Sequence, residues 1–243
     1  MAEDAVAPVH QSSSASVDPF DVSDDLGGIE PDGRRGIVLA VAIGAAVAFV
    51  TLRLVVALSG HAPLPIDTWW DDLMLATMSD ASILVAWVPA IVGGTIGMAV
   101  IGLLLVGVFS VRRRWWDAAT IASAVIAIVA IGAPMAAVIA RVRPEDSLAE
   151  SVATSFPSGH TAVATAVAVT LGLLLRRWYV WLLGVLWVLV MMWSRTHLHA
   201  HWLSDVVAGM LEGVAVACLV WCAIETLRDR RAARAAAAPS PSS

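Results

Sequence analysis

The stretch Ser194-Arg195-Thr196-His197-Leu198-His199-Ala200-His201-Trp202-Leu203-Ser204-Asp205 interrupts two apolar runs with three histidines, an arginine and an aspartate. A second polar stretch lies upstream. It runs from Arg141-Val142-Arg143-Pro144-Glu145-Asp146 to Phe156-Pro157-Ser158-Gly159-His160. Together they hold four of the six histidines. Ionisable groups at a membrane boundary are costly to keep there and mark working sites. The two stretches are therefore read as halves of one site.

The rest of the chain sets the boundary they sit on. Its 243 residues are 59% hydrophobic and 14% charged, with a mean hydropathy of +0.80. Soluble domains are about a quarter charged, so the balance is that of an integral membrane protein. The net charge of −5 describes a tail, since eight of the twenty acids precede residue 33. No basic, aromatic-interleaved patch points to a nucleic-acid partner. Every one of the fifteen basic residues is Arg. Cys218 and Cys222 share a helix face as small buried hydrophobes, a spacing that fits neither a disulfide framework nor a zinc knuckle.

Apolar run lengths predict six spans at about 20 residues per crossing. They are expected near 36–58, 82–110, 117–140, 158–175, 178–193 and 203–226. Residues 1–35 read as an acidic, disordered leader without the pattern of a signal peptide. Residues 36–226 form the membrane domain, and 227–243 a polar Arg/Ala/Pro/Ser tail. Residues 59–81, with Trp69 and Trp70 beside carboxylates, read as a short amphipathic segment in the interface. Arg34, Arg35, Arg112, Arg113, Arg114, Arg176, Arg177, Arg228, Arg230, Arg231 and Arg234 fall on one side, eleven of the fifteen. The positive-inside rule makes that side cytoplasmic, in an inner membrane, with both termini there. Both polar stretches then face outside. The fold class expected is all-α, a six-helix polytopic bundle with its site at the outer end.

The polar residues suit phosphate chemistry. His201 and Asp205 lie four apart, stacked on one face if a helix starts there. A carboxylate on one ring nitrogen would leave the other free and nucleophilic. Arg195 and Arg143 bring planar, permanently charged forks. Pro157, Ser158 and Gly159 open a helix, whose free N–H groups form an anion site. His160, in that first turn, is placed to protonate a leaving oxygen. His197, His199 and His201 make a His-x-His-x-His pattern that could face a metal in an extended segment. His197 and His199 are instead expected to line the pocket or face solvent.

Arg143-Pro144, then Pro157-Ser158-Gly159-His160, then Ser194-Arg195, His201 and Asp205 resemble the three-part signature of the type 2 phosphatidic acid phosphatase superfamily. The resemblance covers about residues 80–225 and implies roles for each residue. His201 is the nucleophile and forms a phosphohistidine, Asp205 orients it, and His160 protonates the leaving group. Arg143, Arg195, Ser158 and the Gly159 amide hold the phosphate. Neither a metal nor another cofactor is implied. The implied substrates are membrane lipid phosphates or pyrophosphates: phosphatidic acid, phosphatidylglycerol phosphate or polyprenyl pyrophosphate. Some relatives transfer groups instead of releasing them to water. One departure stands out: the signature's first lysine, seven residues before its arginine, is Ala136 here. Arg141 is the candidate replacement in phosphate binding, and the departure leaves a lipid-phosphate-binding protein without turnover as a further alternative.

Overall fold

A computed structural model describes residues 31–138, 141–149 and 154–237. Eight helices run through them: α1 (Pro31–Leu58), α2 (Pro65–Ala76), α3 (Asp80–Val92), α4 (Thr95–Val111), α5 (Trp115–Val138), α6 (Gly159–Leu175), α7 (Trp178–His197) and α8 (Leu203–Ala237). The expected all-α membrane class holds. The expected count of six spans is not reached by length and composition. Four helices, α1, α5, α7 and α8, qualify by themselves, and five spans result if α3 and α4 together make one. Helix α6, at 17 residues, is shorter than these.

Three departures from the expected spans have local causes. The run at 82–110 is not continuous: it bends by 48° between α3 and α4. Gly93 and Gly94 sit at the bend, and the Gly94 amide donates to Ile91 rather than to Ala90. Helix α7 does not stop at residue 193 but carries Ser194, Arg195, Thr196 and His197, all buried, in its last turn. Polarity alone did not end it because these groups find partners, such as Ser194 Oγ donating to the Ala86 carbonyl at 2.6 Å. Helix α8 passes residue 226 and runs to Ala237, where alanines favour helix and arginines complement the C-terminal dipole. The leader expected over 1–35 falls outside the described residues up to residue 30, and Pro31–Arg35 are helical.

Helix α8 is central. It packs against α6 on one side and α1 on another, while α5 lies against both α6 and α8. The α6–α8 contact depends on the absence of two side chains. A Cβ on Gly209 would lie 2.4 Å from the Ser158 carbonyl oxygen, and one on Gly213 would lie 2.5 Å from that of Ala162. Small residues four apart let two helix backbones approach closely, which is how helices associate where lipid removes the hydrophobic drive between them. Ala162, Ala166, Val216, Ala217 and Ile128 of α5 fill the contact below. The outward faces are apolar and bare, as at Ile96 (82% exposed) and Leu103 (73%), which suits lipid rather than water. The N-terminal end of α6 and the start of α8 meet at one end of the bundle. The arginine-rich turns after α4 and α6 meet at the other.

Gly209→Leu should force α8 away from the α6 backbone and cost about 1–3 kcal/mol, the usual range for overpacking. A lowered melting temperature of the detergent-purified protein checks this, against Gly44→Ala as control, where an added Cβ meets nothing.

Candidate active site

The two polar stretches come together. The segment after α5 folds back on itself through a bridge between Val142 and Thr154, and the Ser155 amide donates to the Arg141 carbonyl at 2.9 Å. The Ser158 amide donates to the Asp205 carbonyl at 3.0 Å. These bonds place the first turn of α6 beside the first turn of α8, directly above the Gly209 contact.

His201 is buried in the loop between α7 and α8. Its Nδ1 lies 2.7 Å from the Ser155 carbonyl oxygen. A carbonyl only accepts, so Nδ1 carries the proton and, in the neutral ring, Nε2 keeps its lone pair. That Nε2 lies 3.4 Å from the Arg143 guanidinium, itself anchored by donation to the Ala200 carbonyl. Burial, followed by the Arg195 and Arg143 charges, pushes the His201 pKa well below the usual histidine value. The ring is thus held neutral.

The expected direct pairing of His201 with Asp205 is not what forms. Asp205 Oδ2 is 3.9 Å from Nδ1, too long for a hydrogen bond. It accepts instead from the Trp202 amide at 2.9 Å. The other oxygen pairs with Arg141. The ring is oriented by a backbone carbonyl, with the carboxylate one step behind it.

Arg141, expected as a substitute phosphate ligand, is a correction. Its guanidinium is fully buried. It pairs with Asp205 and with Asp67 Oδ2, the latter at 2.7 Å, and donates to Ser204 Oγ at 2.7 Å. Asp67, also fully buried, accepts from the Ser204 amide at 2.7 Å and from Ser204 Oγ at 2.8 Å. It also caps α2 by accepting from the Leu64 amide at 2.9 Å. Arg141 therefore ties α2, α8 and the returning loop together instead of facing a ligand. The side chain of Ala136 lies outside those described.

His160 is half-buried in the first turn of α6. It hydrogen-bonds the Ala90 carbonyl, and Arg195 and Arg143 are close enough for their charges to act on it. The Ala90 carbonyl is available because the α3–α4 bend diverts its usual intrahelical donor, the Gly94 amide. A Cβ on Gly94 would stand 3.7 Å from His160 Nε2. Ser158 is buried, accepting from Thr161 Oγ1 at 3.2 Å, and Gly159 is exposed at the helix start. Arg195 is buried in the last turn of α7, where its charge reaches both His160 and His201. Two imidazoles, two guanidinium groups and a helix N-terminus thus converge, an arrangement able to hold an anion and attack it in line.

The other two histidines do not face solvent. His197 Nε2 meets Ser82 Oγ at 2.8 Å and stacks on Trp193 at 5.0 Å. His199 Nδ1 meets Asp71 Oδ1 at 2.8 Å. The three rings of the His-x-His-x-His run go to separate partners: His197 ties the end of α7 to α3, His199 ties the loop to α2, and His201 meets the Ser155 carbonyl. Asp67, Asp71, Ser82, Ser155 and Ala90 were not singled out by sequence reasoning. The carbonyls of Ser155 and Ala90 carry no side-chain signal at all.

Residues 140–229 match the family model of the PAP2 superfamily. An undecaprenyl-diphosphatase of Sulfolobus acidocaldarius is 41% identical over 59 residues, 24% of this chain and 28% of that protein. The match therefore spans little more than a quarter of that relative's length. Among solved structures, the transmembrane PAP2 type phosphatidylglycerolphosphate phosphatase from Bacillus subtilis superposes with a TM-score of 0.67 at 20% identity. It covers 76% of this chain and 96% of that one. Aquifex aeolicus LpxE gives a TM-score of 0.57 at 20% identity, covering 65% and 96%. The likeness to the type 2 phosphatidic acid phosphatase signature is borne out, and the fold is shared.

Arg141→Met should leave Asp67 and Asp205 buried without their cation and cost about 3–5 kcal/mol, the range for removing one partner of a buried ion pair. Arg143→Met should leave the melting temperature within a few degrees. A thermal melt of both variants in detergent reads the difference, and equal melting temperatures would return Arg141 to the ligand site.

Proposed function

We propose, on the PAP2-superfamily match of residues 140–229, that this chain is a membrane lipid phosphatase working through a phosphohistidine. The observation that carries the reading is the 2.7 Å contact between His201 Nδ1 and the Ser155 carbonyl, which puts the ring proton on Nδ1 and leaves Nε2 to act as a nucleophile beside Arg143. The substrate class is a lipid phosphate or pyrophosphate: phosphatidic acid, phosphatidylglycerol phosphate or polyprenyl pyrophosphate.

In the first step the Nε2 lone pair attacks phosphorus and the bond to the lipid oxygen breaks. His160, protonated once the bound phosphate anion offsets the Arg195 and Arg143 charges, gives that oxygen its proton. Arg143, Arg195, Ser158 and the Gly159 amide hold the phosphoryl oxygens as their charge redistributes. In the second step neutral His160 takes a proton from water. The resulting hydroxide attacks phosphorus, and the N–P bond breaks to release phosphate and restore Nε2. Positive charge for the transferring group comes from guanidinium groups, so no metal is assigned a part. Asp205 supports the ring through Trp202 and Arg141 rather than by direct contact. The clustering of arginines at the bundle end away from His201 supports an inner-membrane placement, with both termini cytoplasmic and the site facing outside.

His201→Ala should abolish phosphate release from these lipids in the presence of EDTA, while wild type is inhibited by vanadate and indifferent to the chelator. Full activity in the variant, or a strict need for Mg²⁺, would sink the mechanism. The pH profile gives an independent check. Protonation of Nε2 removes the nucleophile, and the His201 pKa lies well below the usual value near 6.5. The acid limb of kcat/KM assigned to the nucleophile should therefore fall well below pH 6.5. A nucleophile limb near 7, moved by Arg195→Gln, would contradict the neutral-ring assignment.

A further inference from the structure

The end of the bundle opposite His160 holds a second polar site that the hydrolysis does not use. An open pocket of about 530 Å³ lies there. Five guanidinium groups line it: Arg34 of α1, Arg113 and Arg114 between α4 and α5, Arg176 after α6, and Arg228 of α8. Two carboxylates, Asp117 and Glu225, are the acidic lining, so five positive charges less two negative leave +3. Asp117 pairs with Arg114, and Glu225 approaches Arg228 at 3.6 Å. Arg34 donates to the Leu173 carbonyl at 2.7 Å and lies 4.7 Å over the Trp221 ring. Among the described residues, Arg113 and Arg176 have no side-chain hydrogen bond or ion pair.

The backbone at those two arginines is unusual. Arg113 has φ of 57° and Arg176 φ of 54°. Both sit at the end of a helix, where a left-handed residue is usually glycine or asparagine because other side chains strain there. The chain thus places charged side chains where glycine would be easier. It also points them into a space where Arg34 and Arg176 already repel. Trp115, Trp116 and Trp221 wall the pocket, and Val111 beside it is 85% exposed on the apolar flank. Tryptophans at this depth mark the headgroup layer, and basic pockets between spans at that level take anionic headgroups. The volume is that of an ordinary ligand site.

We propose that this pocket binds the headgroup of an anionic phospholipid, phosphate against Arg113 and Arg176, at the face away from the histidines. The site is independent of the hydrolysis and stands whether or not the chain is a phosphatase.

The test uses the full chain, purified in detergent, stripped of lipid and titrated with phosphatidylglycerol by native mass spectrometry. Phosphatidylcholine and sn-glycerol 3-phosphate are run beside it. Phosphatidylglycerol should bind at least tenfold tighter than phosphatidylcholine, and the Arg113→Gly/Arg176→Gly variant should lose at least tenfold of that affinity. The glycines relieve the left-handed strain, so the fold should be kept, and lipid phosphate release should be unchanged. In wild type, rising salt should weaken the binding. Unchanged affinity in the double variant, equal binding of phosphatidylcholine, or indifference to salt would overturn the site. Glycerol 3-phosphate binding as tightly as the lipid would overturn the headgroup assignment in favour of a soluble phosphate.

Discussion

One buried cation holds the working end of the molecule together. Arg141 sits between Asp67 and Asp205 with none of the three exposed. Removing charges from water costs several kcal/mol per ion, and only well-placed partners repay it. Here the cation comes from the loop after α5 and its acidic partners from α2 and the start of α8, with Ser204 adding hydrogen bonds to both sides. A two-to-one ratio of acids to base leaves the cluster net negative if all three are charged. It lies behind the Nδ1 side of His201, while the Arg143 cation lies at the Nε2 side. The ring is thereby set across a field that matches the proton on one nitrogen and the lone pair on the other.

The second constraint is steric. Gly209 and Gly213 bring the α8 backbone against α6 at the level of Ser158 and Ala162. That closeness lets the Asp205 carbonyl accept from the Ser158 amide. The start of α6, with His160 and its free N–H groups, is thus set relative to the loop holding His201. The geometry of the candidate site is an outcome of two helix starts locked side by side, with the bend between α3 and α4 offering a carbonyl to His160 from a third direction.

How much of this could be read from the chain differs by residue. His201, His160, Arg143 and Arg195 were legible, because spacing and position at span ends are sequence properties. The bundle class followed from run lengths and the alternating arginines. Asp67 was not, since it stands beside Trp69 and Trp70 in a segment that reads as interfacial, 74 residues from Arg141 and 137 from Ser204. No local pattern links residues that far apart. Arg141 was misread for the same reason: its charge was visible, but its two acidic partners were not. The span at 82–110 looked continuous because hydropathy does not register a turn in which two glycines redirect the backbone. The true end of α7 was missed because polarity imitates a loop when the partners that bury it are out of view.

The bond from His201 to Ser155 has a consequence for how this site would look to genetics. The group that fixes the ring is a main-chain oxygen, present whatever side chain residue 155 carries. Saturation mutagenesis would score position 155 by the packing of its side chain and remain blind to the oxygen that sets the tautomer. Only atomic substitution in the backbone itself, replacing the amide that carries that carbonyl with an ester, weakens the acceptor without altering any side chain. An alanine scan of this molecule would mark His201 and the arginines around it and still leave unmarked the atom that decides which ring nitrogen keeps its lone pair.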